Sequence, residues 1–166
     1  MGCSAFCNRD DRSYLQVEIE IMEGRRRKAR EVVLQALYAI EVGEVELPTI
    51  LEYLLNNNEL GERTKSFLVE LSQKAFSHRE EIDALIGKVA KHWELRRIAT
   101  VDRNILRLAI CELLWFPDIP AKVSINEAIE LAKKYSTKES GRFVNGILDS
   151  IAKQVVEKHE GKGEEQ

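Results

Sequence analysis

No stretch of this chain is apolar for long enough to span a membrane, and its opening residues lack the pattern of a secretory signal. Cysteine is scarce: Cys3, Cys7 and Cys111 make an odd count without metal-ligand spacing, which argues against a disulfide framework or a zinc site and for a reduced, cytoplasmic setting. The motifs of common catalytic sites are missing as well. There is no GxxxxGK[ST], no GxGxxG after a strand, no HExxH and no GxSxG. His78, His92 and His159 stand far apart in polar, helical contexts. These absences point to a protein that is not an enzyme and needs no cofactor or metal. A net charge of −3 excludes a generally basic, histone-like chain, so any contact with a polyanion must come from a local patch.

What is present is helix. The 44% hydrophobic content suffices for the core of one domain. From Ala29 onward the apolar residues recur at three and four. Ala29, Val32, Val33, Ala36, Leu37 and Ile40 form one stripe that stops at Gly43. A short helix follows from about Pro48 to Leu55 and closes on three asparagines. A third begins at Glu62, and after a break near Ser77 a stripe of Ile82, Leu85, Ile86, Val89 and Trp93 continues it. A fifth carries Ile98, Val101, Ile105, Leu108 and Ala109 and ends at Pro117–Pro120. Two capping boxes, Ser124 with Glu127 and Ser136 with Glu139, announce the last helices, the former with a Val123–Ala128 staple. The pattern predicts an all-α fold of about seven helices, folded over residues 22–160. Residues 1–21 read as a disordered or non-native extension, with a brief strand-like alternation at Leu15–Ile21, and residues 161–166 as a flexible tail.

Three local features carry the functional argument. Five of the six residues from Arg25 to Arg30 are cationic and sit where the first amphipathic helix is expected to begin. Cations at a helix N-terminus oppose the macrodipole, a placement that makes sense if a phosphate binds there; a plain solvated basic run is the other reading. On the last helix, Arg142, Phe143, Asn145 and Asp149 put a cation, an aromatic ring and an amide within about a turn, the parts used to read unstacked bases. Leu34 and Tyr38 lie on a second, outer face of the first helix, covered either by another element or by another protein. Glu112 falls on the Ile105–Leu108–Ala109 stripe, where a carboxylate must be paired; a structural ion pair with an arginine explains it better than a catalytic acid.

Four blocks, in order, resemble the NusB family of bacterial antitermination factors: RRRKAREVVLQALY (Arg25 to Tyr38), W-x-L-x-R-I-x-x-V-D-R-N-I-L-R-L-A-x-x-E-L (Trp93 to Leu113), VSINEAIELAKKY (Val123 to Tyr135) and FVNGILD (Phe143 to Asp149). The resemblance implies seven helices in two packed subbundles and no enzymatic activity. It implies a protein that pairs with the small-subunit ribosomal protein NusE, binds the boxA element of ribosomal RNA leader transcripts as single-stranded RNA, and helps RNA polymerase in an antitermination complex pass terminators. It assigns RNA contacts to Arg26, Arg27, Lys28, Arg30, Phe143 and Asn145, with Arg142 beside them, and gives Glu139 the role of tuning RNA affinity downward. Tyr38 and Asp102 fall to the NusE side. Two alternatives stand beside this: an RNA-recruiting domain related to those of ribosomal RNA methyltransferases, and a helical homodimeric scaffold. Some relatives self-associate through the RNA surface, so homodimerisation stays open.

Overall fold

The period-three-and-four stripes become seven α-helices in the computed structural model, which describes residues 11–160: α1 (Asp11–Gly43), α2 (Leu47–Asn57), α3 (Glu62–Ser77), α4 (Arg79–Val89), α5 (Thr100–Trp115), α6 (Ala121–Tyr135) and α7 (Lys138–Glu160). A 3-10 turn, Leu95–Arg97, precedes α5. No strand occurs among the described residues. Helix α5 is the shared wall. It packs on α1 and α3 on one side, with α2 behind them, and on α4, α6 and α7 on the other. Two helical subbundles therefore share one core. Ile105, Leu106, Leu108, Ala109, Ile110 and Cys111 are all buried, as expected of a helix enclosed all round. Burying each of its large aliphatic side chains contributes about 1.5–3 kcal/mol.

The helix ends show where sequence signals were misread. Helix α1 does not begin at the basic run; it continues back to Asp11, so the strand-like alternation of Leu15–Ile21 is corrected to helix. That part buries nothing: Leu15, Val17, Ile19 and Ile21 are exposed, so their spacing has no packing partner to enforce a strand. Residues 1–10 and 161–166, the first part of the expected extension and the whole expected tail, lie outside the described residues. Helix α4 stops at Val89, and Trp93 is an exposed turn residue, where a stripe member was expected.

The capping frames also differ. Pro120 opens α6, its carbonyl accepting from the N–H groups of Val123 and Ser124. Ser124 thus lies within the helix, where its Oγ donates to Glu112 at 2.7 Å, and the expected Ser124–Glu127 box does not form. At α7 the box sits one residue later than expected. The Ser140 N–H donates to Thr137 Oγ1 at 3.2 Å, and the Thr137 N–H to Ser140 Oγ at 3.4 Å. This leaves Glu139 free of cap duty and exposed.

Candidate nucleic-acid interface

The basic run lies well inside α1, so neither the helix N-terminus nor its dipole accounts for it. Its side chains divide by depth. Arg25 and Lys28 are exposed. Arg26 is half-buried, donates to Asp118 at 3.1 Å and lies over the Phe67 ring at 5.1 Å. Arg27 makes a two-pronged pair with Glu127, at 2.9 Å from Nε and 2.6 Å from the terminal nitrogen, yet its side chain keeps 54% exposure. The Glu127 hydrogen bond and charge push its pKa above the ordinary arginine value.

Arg30 is different in kind. It is 2% exposed and donates to both oxygens of Glu112, at 2.6 and 2.9 Å. Ser124 completes the site, and Glu127 stands 3.8 Å away. The guanidinium expected to hold RNA is a buried structural cation, and that assignment is corrected. The reason is positional: Arg30 precedes Val33 by three, on the core side of α1. It is also the partner that Glu112 was expected to need.

The Phe143 group lies elsewhere. Thr137 and Ser140, at the start of α7, meet the start of α5, where Ser140 Oγ donates to Asp102 Oδ2 at 2.8 Å. Asp102 is 7% exposed, and its Oδ1 has no hydrogen-bond partner among the described residues. Phe143, partly buried, meets Trp93 edge-on, with ring centroids 6.0 Å apart. These residues, with Arg97 and Glu139, line a pocket of about 320 Å³. Arg142 and Asn145 are exposed nearby on α7, where Asp149 is tied to Lys153 at 2.9 Å.

The two groups mark opposite ends of α5. Glu112 anchors Arg30 and Asp102 faces the Phe143 pocket, about 15 Å apart at the rise of an α-helix. No single nucleotide could touch both. Helix α6 lines up with α1 through two pairs: Glu127 holds Arg27, and two turns on Lys134 pairs with Glu31 at 2.7 Å, which raises the lysine's pKa. Lys133 and Lys134 are exposed there at 58% and 57%, cations that the sequence argument passed over within the VSINEAIELAKKY block.

Tyr38 is 43% exposed and lines a mostly apolar groove of about 260 Å³ with Glu31, Leu34, Gln35, Val101 and Tyr135. Leu34 is buried within the fold, so only Tyr38 of that pair stays open to a partner. Val101, not Asp102, joins Tyr38. Asp102 points to the other pocket, buried beneath Ser140, and is corrected from a partner contact to a wall of the Phe143 pocket. Tyr135 closes the groove from α6, a role its place after two lysines did not signal.

Comparison with known proteins gives this geometry its context. A model of the NusB family matches residues 27–153. The transcription antitermination protein NusB of Trichlorobacter lovleyi is 51% identical over 128 residues, covering 77% of this chain and 90% of its own. T. maritima NusB is 43% identical, with a TM-score of 0.73 over 77% of this chain and 90% of that chain. A solved complex of antitermination factors NusB and NusE with dsRNA has a chain 28% identical at a TM-score of 0.72, covering 78% of this chain and 97% of that one.

Proposed function

The chain belongs to the NusB family, and from that premise we propose that it is a non-enzymatic transcription antitermination factor. It binds the boxA element of ribosomal RNA leader transcripts with the ribosomal protein NusE as partner, and so helps RNA polymerase pass terminators. The observation that carries this reading is that cations and base-contacting groups on three helices reach solvent: Arg25, Arg27 and Lys28 of α1, Lys133 and Lys134 of α6, and Arg142, Phe143 and Asn145 of α7. Arg26 contributes if its exposed pair with Asp118 opens, since such pairs are worth at most about 1 kcal/mol. Glu139, exposed at the pocket rim, lowers RNA affinity by repelling the phosphates. The Tyr38 groove fits an apolar protein surface and is the NusE side. That a relative's complex holds NusE and dsRNA together supports both partners.

The setting is cytoplasmic, where transcription occurs. No described helix is long and apolar enough to cross a membrane. No group of three or more His, Cys, Asp or Glu among the described residues could hold a metal, and no catalytic residue is assigned. The test is an electrophoretic shift with boxA-type, scrambled and duplex RNA, with and without NusE. Preferential retardation of the boxA-type strand, strengthened by NusE, is expected. Equal or absent shifts for all RNAs would leave the homodimeric scaffold, which light scattering would then reveal.

A further inference from the structure

The loop between α4 and α5 reads Lys91-His92-Trp93-Glu94-Leu95-Arg96-Arg97, and every residue of it except Leu95 is exposed. Trp93 is the prominent member, its indole 56% open to water and its flat face available for stacking. It does not wander freely, because one edge leans on Phe143 at 6.0 Å and 64°. The opposite wall of the same pocket is Asp102, with Ser140 and the exposed Glu139 at the α7 end. Arg97, its side chain 76% exposed, stands at the mouth with only a loose 3.8 Å contact to Glu94. Lys138 and Arg142 add two exposed cations on the first turns of α7.

These parts fit one occupant. Ser140 already donates to the buried Asp102, so the open carboxylate of the pocket is Glu139; an apolar protein surface would leave it without a donor, whereas a nucleobase brings a flat apolar face and a polar edge together. The flanking arginines and lysine supply charge for the phosphates on either side of it. We infer that Trp93 is a stacking platform for one unstacked base of the bound RNA, that Arg97 holds the adjoining phosphate, and that the exposed Glu139 carboxylate at the rim favours a base edge carrying an amine. Adenine, cytosine and guanine present an exocyclic amine, while uracil offers the carboxylate only a single N–H flanked by two carbonyl acceptors. This inference rests on the RNA-binding reading above and extends it to a loop outside the expected contact residues.

The experiment uses the full chain with a fluorescein-labelled single-stranded boxA-type RNA, with NusE present. Trp93→Ala is expected to weaken binding on the order of 10- to 100-fold, while Trp93→Phe retains most of the affinity. Arg97→Gln is expected to make the slope of log affinity against log salt shallower by about 0.7. In a Trp115→Phe background, where Trp93 is the remaining indole, RNA should quench its fluorescence, and replacing a single nucleotide by an abasic residue should abolish that quenching. Restoring that position as uridine should recover less affinity than any of the other three bases.

If wild-type protein fails to bind the RNA at all, the RNA-binding reading itself falls. If wild type binds but Trp93→Ala binds equally well with an unchanged melting temperature, the platform is overturned and the reading survives. Quenching of Trp93 by NusE alone, with no further change on adding RNA, would assign the surface to protein instead and likewise overturn it.

Discussion

Arg30 of α1 and Glu112 of α5 form a two-pronged ion pair with both side chains at or below 2% exposure. The pair bolts the helix that carries the basic run to the central wall. Removing one partner strands a charge in the core, so Arg30→Ala or Glu112→Ala should each cost about 3–5 kcal/mol in urea unfolding. The double replacement Arg30→Met with Glu112→Leu should recover most of that loss. Losses below 1 kcal/mol for both single variants would show that the pair does not bear on stability.

Glu127 holds Arg27 where an RNA phosphate would otherwise sit. Glu127→Gln keeps the shape and removes the competing charge, and Arg30 retains Glu112. Glu127 is buried but Arg27 keeps about half its side chain in water, so the pair is worth on the order of 1 kcal/mol and RNA affinity should rise by about fivefold in a fluorescence titration. A fall in affinity would mean that Glu127 orients Arg27 for RNA instead of occupying it.

A second network ties α1 to α5 and α4. Glu41 accepts hydrogen bonds from Arg103 and Asn104 and pairs with Arg107 at 2.7 Å, and Arg107 grips Asp83 at 2.7 and 2.8 Å. Burial alone pushes the Glu41 carboxyl upward, but the two arginines and Asn104 outweigh it and hold the carboxyl below its ordinary value. A depressed folded value means the stabilisation is complete above the unfolded glutamate pKa of about 4.3 and is lost as pH falls through the folded one. Glu41→Gln should therefore cost about 1–3 kcal/mol at pH 7 and flatten the loss of stability below about pH 4. An unchanged acid limb in thermal melts across that range would refute the role of Glu41.

Cys111 is a buried thiol whose pKa burial raises to about 12. With almost no thiolate at pH 8, it should resist iodoacetamide in the folded protein and react once urea is added, as read by peptide mass spectrometry. Fast alkylation without denaturant would show that the α5 core opens readily.

Much of this was legible in the chain, and the misses have physical causes. The seven helices follow from apolar spacing, and the need of Glu112 for a cation follows from its place on the α5 stripe. The same test applied to Arg30, three before Val33, would have placed that residue inside the core; a run of like charges hid its register. Asp102, three before Ile105, is buried for the same reason. The Ser124 frame failed because a serine–glutamate spacing cannot reveal that both side chains are bound to charges on other helices. Helix α1 does end at Gly43, but the left-handed residue that closes it is Glu44, with φ of 52°, one position past the glycine. Trp93 was the hardest to place, since its spacing extended the α4 stripe by one member while the backbone had already turned away.

The central claim is that exposed cations of α1 and α7 neutralise RNA phosphates. It is tested most directly by the salt dependence of boxA-type RNA binding. With Arg26, Arg27, Lys28 and Arg142 each meeting one phosphate, log affinity should fall with log salt at a slope near −3, and Arg27→Gln with Lys28→Gln should bring it to about −1.5. A slope near zero in the wild type, or one unchanged by the double replacement, would contradict the account.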